Sequence, residues 1–208
     1  MMIIIMIAFI IMIMYLVKVA EGSRNMKVSR EQVAANRTRI LAAAARLFRL
    51  RGFQDVTVAE VMKEAALTHG AFYGHFASKE ALIAEAIEWV LFSAPDTAGT
   101  GMPAAAYAEG YLSADHRDDP AAGCTFSSLG TEAARGSADL RRAMTESTRR
   151  HIDRFSPEAK GATPQERRRE AIAAWSAMVG AMVLARLVDD DKLSREILSA
   201  THASMPFA

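Results

Sequence analysis

One cysteine, Cys124, among 208 residues excludes an intrachain disulfide and points to a reducing compartment, the cytoplasm. Also missing are a glycine-rich phosphate loop and any group of His, Cys and Asp at metal-ligand spacing. Nucleotide-hydrolysing and metal-dependent chemistry therefore have no motif to rest on. His116 and Cys124 are separated by a proline-containing stretch with no third orienting group, and His151 and His202 stand alone. No catalytic residue, metal or cofactor is assigned, and the expectation is a protein that is not an enzyme. Neither charge sign dominates, since 25 basic against 24 acidic residues leave a formal charge of +1. There is no strand-like alternation of any length and no internal repeat, which leaves an all-α chain.

The first seventeen residues, MMIIIMIAFIIMIMYLV, are apolar throughout. A membrane-spanning helix takes about 20 such residues, and no basic residue or small-residue cleavage site marks a signal peptide. Met26 opens an ordinary short basic arm. Residues 1–25 are accordingly read as an apolar leader arising from a start placed too far upstream, with a membrane-tethered form as the alternative. Residues 26–32 are the arm, and Lys27, Arg30, Arg37, Arg39, Arg46, Arg49 and Arg51 form a basic cluster that suits a polyanionic partner.

The informative stretch is 57–76, TVAEVMKEAALTHGAFYGHF. Thr57 and Glu60 have the spacing of a capping box. Val58, Val61, Met62 and Ala65 then recur on one buried face. Thr68 is placed to cap a second helix in which Phe72 and Phe76 point inward, while His69, Gly70, Tyr73 and Gly74 face outward. Two glycines weaken a helix by roughly 1 kcal/mol each relative to alanine, so a sequence carrying them needs close approach of something to that face. Before this stretch, a helix with Val33, Ile40, Ala44, Leu47 and Phe48 on its buried side ends at Gly52, with Phe53 packing back on Phe48. After it, Ser78 caps a helix beginning at Lys79.

Together, the helix ending in Arg51-Gly52-Phe53, the Thr57-Val58 start, the block Phe72-Tyr73-Gly74-His75-Phe76 and the run Ser78-Lys79-Glu80-Ala81-Leu82 resemble the DNA-binding domain of TetR-family transcriptional regulators, over about Val33 to Val90. The resemblance implies an all-α protein. A three-helix helix-turn-helix DNA-binding domain, residues 33–94, is followed by a helical ligand-binding and dimerisation domain, residues 95–208. It further implies a homodimeric repressor that leaves its operator when a small-molecule effector binds. By resemblance Thr57, Tyr73, His75 and Lys79 contact phosphates, and Thr68, His69, Gly70 and Ala71 meet base edges, with Gly74 beside them. One departure stands out: Ala66 occupies a turn position where the family often has glycine. If that position takes a positive φ, alanine costs about 1 kcal/mol.

Beyond Leu82 the pattern continues as helices. One runs from Lys79 to about Ser93, and a loop follows from Pro95 to Pro103. Further helices are expected over Ala104 to His116, Cys124 to Arg135, and Ser137 to about Phe155. Thr163-Pro164-Gln165-Glu166 starts a long helix reaching about Val188, and the last runs from Lys192 to about Ser204. The two carboxy-terminal helices suit a four-helix dimer interface, with Gly180 permitting close approach. Trp89, Tyr107, Tyr111, Phe126, Trp175, Met178 and Met182 are the candidates for an apolar effector pocket. Cys124, at an expected helix start, is a candidate redox or electrophile-sensing thiol, the alternative being a small buried hydrophobe.

Overall fold

The computed structural model describes residues 30–93 and 101–207, and the leader, most of the basic arm and part of the 95–103 loop lie outside the described residues. Of the described residues, 30–36 fall in one unit and those from 37 onward in another. In the first, Gln32 Nε2 donates to Asn36 Oδ1 at 3.0 Å, and Val33, expected on the buried side, is 41% exposed.

Helix α1, Arg30–Arg51, ends where Gly52 takes φ +80 and its N–H returns to Phe48 O at 2.7 Å. That left-handed residue turns Phe53 back so that its ring meets Phe48 edge-on, 5.4 Å between centroids. Helix α2, Val58–Glu64, has the Thr57–Glu60 capping box on both sides. Its exit is a Schellman turn, with Ala66 N donating to Lys63 O (3.0 Å) and Leu67 N to Met62 O (2.9 Å). The turn sets Ala66 at φ +53, the one positive φ at a non-glycine among the described residues. Arg39 donates to the Ala65 carbonyl and, at 3.4 Å, to that of Ala66. The turn is thus held from outside α2 although its own residue is strained.

The next element is a 3₁₀ helix, His69–Gly74, rather than an α-helix, and the Thr68 hydroxyl makes no capping bond. Two glycines in six residues explain the first difference, because nothing in such a short segment favours the longer α repeat. Helix α3, Lys79–Phe92, starts at Ser78, whose Oγ accepts from Ala81 N at 3.1 Å.

The long helix expected over 104–116 is two, α4 (Ala104–Tyr111) and α5 (Ala114–Asp118). Ser113 Oγ accepts from His116 N (3.1 Å) and donates to Gly110 O (2.8 Å), so a serine that can cap starts a new helix there. Helices α6 (Thr125–Ala133), α7 (Ala138–Phe155), α8 (Pro164–Leu187) and α9 (Asp191–Ala203) complete the fold. Among the described residues no strand forms beyond a single bridge between Ala159 and Phe207.

Two cores result. The first joins α1, α2, the 3₁₀ helix and α3 around Ile40, Phe48, Met62, Phe72 and Leu82, and it takes in Leu129 and Ala133 of α6 and Leu140 of α7. Each fully buried side chain of this size stabilises by about 1.5–3 kcal/mol. The second gathers Tyr107, Tyr111, Phe155, Trp175, Met178 and Met182 from α4, α7 and α8 with Leu198 of α9. Helix α8 is long and apolar enough to cross a membrane by length and composition. Much of that apolarity faces the second core, and the rest forms an exposed row, with Ile172 at 43%, Leu184 at 50% and Leu187 at 76% exposure.

Candidate functional site

The surface formed by the start of α2, the 3₁₀ helix and the start of α3 carries the residues expected at a polyanion. Phe72 and Phe76 stack 5.7 Å apart inside and fix which way the short helix faces. Its outer side then shows His69, Gly70, Tyr73 and Gly74, all exposed, with Tyr73 at 70%. Ala71 and His75 are half-buried at its edges. A Cβ added at Gly70 or Gly74 would meet nothing within 4 Å, and neither residue has a positive φ. Neither internal packing nor backbone conformation requires glycine at these two positions.

The neighbouring polar groups differ in how free they are. Thr57 Oγ1 accepts from Glu60 N (3.2 Å) while the Glu60 carboxylate accepts from Thr57 N (2.8 Å). Arg51, at 2.9 Å, with Thr57, holds the exposed Glu60 carboxyl down at about 2. Lys79 Nζ rests on Gln54 O at 3.3 Å. Tyr73 leans edge-on against both His69 (6.3 Å) and Phe72 (5.2 Å), leaving its hydroxyl outward.

Several arginines of the basic cluster are engaged within the protein. Arg37 binds His75 O and Glu85 and lies 4.4 Å over the Phe76 ring. Arg46 pairs with Glu64 at 2.6 Å and Arg51 with Glu60. Arg49 points to the other side of α1 and donates from Nε to Ala121 O at 2.7 Å. These partners lie far along the chain, so sequence proximity of the arginines said little about where they point.

A second feature is a cavity of about 360 Å³ bordered by α1, α3, α4, α6 and α7. Of the effector-pocket candidates Tyr107, Tyr111 and Phe126 line it, and Arg49, His116, Cys124, Ser147 and His151 join them there without having been candidates for it. Trp175 stands behind the wall, stacked on His151 at 4.1 Å and edge-on to Phe126 at 5.4 Å. Met178 and Met182 are fully buried in the second core, and Trp89 packs against the first. Cys124, half-buried, is the N-cap residue of α6.

Polar atoms in the cavity have defined states. His116 Nε2 accepts from Cys124 N (3.0 Å), so Nδ1 carries the proton toward Tyr111 O (2.6 Å). His151 Nδ1 donates to Ser147 O at 2.8 Å. Burial lowers the pKa of both imidazoles and keeps them neutral. Burial also pushes the Tyr111 phenol well above its usual range, and its oxygen has no partner in hydrogen-bonding geometry.

A helix-turn-helix with a sparse outer face, followed by helices that border a cavity, is the architecture of a DNA-binding regulator. Residues 40–86 match the family model of the bacterial regulatory proteins of the tetR family. Over 52 residues, 25% of this chain and 27% of the relative, the sequence is 50% identical to the HTH-type transcriptional regulator YdgC of Bacillus subtilis strain 168. It is 47% identical over 47 residues to UidR of Escherichia coli K12, covering 23% of this chain and 24% of that protein. The matched segment thus spans about a quarter of these relatives' length. In three dimensions the chain resembles a TetR-family regulator from Cytophaga hutchinsonii, with TM-score 0.63, 18% identity, and 85% and 95% of the two chains covered. It also resembles the reduced form of E. coli NemR, with TM-score 0.59, 21% identity, and 83% and 97% covered. Residues 40–86 are a tetR-family helix-turn-helix domain, and the chain has the fold of tetR-family regulators.

Proposed function

We propose that this chain is a cytoplasmic, homodimeric transcriptional repressor that holds operator DNA through the outer face of its 3₁₀ helix and releases it when a small molecule fills the cavity. The observation that carries the DNA part is the open space over Gly70 and Gly74 beside the exposed Tyr73. A backbone free of side chains can approach base edges, with Thr68, His69, Gly70 and Ala71 nearest the bases. Thr57, Tyr73, His75 and Lys79 then contact phosphates and fix the register.

Dimerisation is supported by the exposed row Ile172, Val183, Leu184 and Leu187 on α8, continued by Leu193 on α9. Gly180 on α8 is also open, so a second copy of the helix can come close. Pairing of two copies would set two recognition elements on successive major grooves. The effector part rests on the cavity, whose volume is at the small end of the usual range for ligand pockets. Ligand would favour a form whose two recognition elements are wrongly spaced for DNA.

Selection of genomic fragments by the full chain, followed by gel shifts, tests this reading. Affinity should fall steeply with added salt and be lost on Tyr73→Ala. A chain that retains no genomic fragment at low salt argues against it. A cysteine-based sensor remains a second reading because Cys124 lines the cavity, and an unchanged ligand response in Cys124→Ser removes it.

A further inference from the structure

The charge character of the cavity follows from its walls. Among the described residues no aspartate or glutamate lines it, whereas Arg49 does. The nearby Asp119 acts on Arg49 only through space, and its Oδ1 accepts from Ala122 N at 3.1 Å. Behind Gly123, Arg186 gives its hydrogen bonds to neutral acceptors only, the carbonyls of His116 and Arg117 and the hydroxyls of Ser127 and Ser128. Arg186 approaches so closely that a Cβ on Gly123 would lie 2.9 Å from its Nη2. One guanidinium, that of Arg49, thus lines the space, and that of Arg186 stands behind its wall at Gly123.

Tyr111, 5% exposed, lines the same space, and its sealed hydroxyl lies beside Cys124 and Ser127 without hydrogen-bonding geometry to either. An unsatisfied buried hydroxyl is unfavourable until something hydrogen-bonds to it. The remaining lining is aromatic, with Tyr107 and Phe126 as walls. Arg49, Tyr111 and Cys124 all line this one cavity.

We propose that the cavity takes a small aryl carboxylate, its ring between Tyr107 and Phe126 and its carboxylate held by Arg49 with Tyr111 donating to it. This inference rests on the reading of the cavity as an effector site and specifies what that site recognises. A guanidinium–carboxylate contact is charge-assisted and directional, and the limited volume keeps the ligand to few rings. Arg49 stands one turn before Gly52 on α1, the helix that carries Phe48 into the core of the helix-turn-helix domain. A ligand that draws Arg49 away from Ala121 O therefore acts directly on that domain.

Calorimetric titration of the full chain with naphthoate, neutral naphthamide and cationic naphthylmethylamine tests the assignment. Naphthoate should bind at least about tenfold more tightly than naphthamide, and the amine should bind least. Arg49→Gln should abolish the preference for naphthoate. Arg49→Lys, which keeps the charge but loses the fork, and Tyr111→Phe should each weaken naphthoate severalfold, which keeps the test decisive if Arg49→Gln does not fold. Equal affinity for acid and amide, or tightest binding of the amine, overturns the anion assignment while leaving the cavity a ligand site. Unchanged naphthoate affinity in Arg49→Lys and Tyr111→Phe overturns the placement. No binding of any of the three probes overturns both this assignment and the effector reading, whereas loss of DNA binding in a gel shift bears on the DNA reading alone.

Discussion

Phe53 N donates to Glu132 Oε2 at 2.7 Å, so the segment leaving α1 is pinned to α6 by a charged acceptor. The same carboxylate crowds Gly52, where an added Cβ would lie 2.6 Å from Oε1. With Arg49 on Ala121 O in the loop before α6, this makes two polar links from the end of α1 to α6 and the loop that leads into it. Glu132→Ala should therefore destabilise by about 1.5–3 kcal/mol, the usual range for a hydrogen bond to a charged group, and Glu132→Gln by less. Denaturant unfolding measures both.

Gly52→Ala should destabilise for two separable reasons, the positive φ and the clash with Glu132. In a Glu132→Ala background the clash vanishes and only the conformational part, about 1 kcal/mol, should remain. A double-mutant cycle by urea unfolding reads the coupling. Strict additivity of the two substitutions would show that the carboxylate does not occupy the space over Gly52.

Ala66→Gly should have the opposite sign. It relieves a left-handed alanine at φ +53 while adding freedom to the unfolded chain, for a net gain of up to about 1 kcal/mol. Thermal unfolding should rise by a few degrees, and a fall would mean that Arg39 and the Schellman bonds already compensate fully.

Glu60 is expected to titrate at about 2, below its ordinary 4.5. A depressed folded-state pKa means that its contribution is present above the ordinary value and is lost as pH falls from about 4.5 through about 2. Carboxyl chemical shifts followed by NMR from neutral to acid pH should show Glu60 as a late-titrating glutamate. Arg51→Gln, which removes the largest cause, should move it upward.

Tyr111→Phe removes a buried hydroxyl that has no partner. The free protein should become more stable, by about 1 kcal/mol, although the variant binds naphthoate less well. A clear loss of thermal stability would show that the hydroxyl is satisfied in the free protein.

How far the sequence could be read depended on whether a feature is local. The Thr57–Glu60 and Thr163–Glu166 boxes, the Gly52 stop and the Phe48–Phe53 contact involve residues within five positions, and each is formed. The 3₁₀ form of His69–Gly74 and the break at Ser113 are choices between nearly equal local geometries, which side-chain pattern alone does not decide. The arginines and the cavity wall are set by tertiary packing. Arg37 meets Glu85 and Arg49 meets Ala121, separations at which no spacing rule operates. Arg49, His116 and His151 were missed for that reason, and the reliance on aromatic size that picked Tyr107, Tyr111 and Phe126 also picked Trp89 and Trp175, which do not line the cavity.

The account turns on the outer face of the 3₁₀ helix, and Gly70→Leu tests it most directly. Nothing within 4 Å would touch a Cβ there and the φ is not positive, so thermal unfolding should stay unchanged. Fluorescence anisotropy on a genomic fragment selected by the parent chain should show affinity weakened by at least about a hundredfold, on the order of 3 kcal/mol. A Gly70→Leu variant that folds normally and binds the fragment as tightly as the parent would contradict the assignment of this face to DNA.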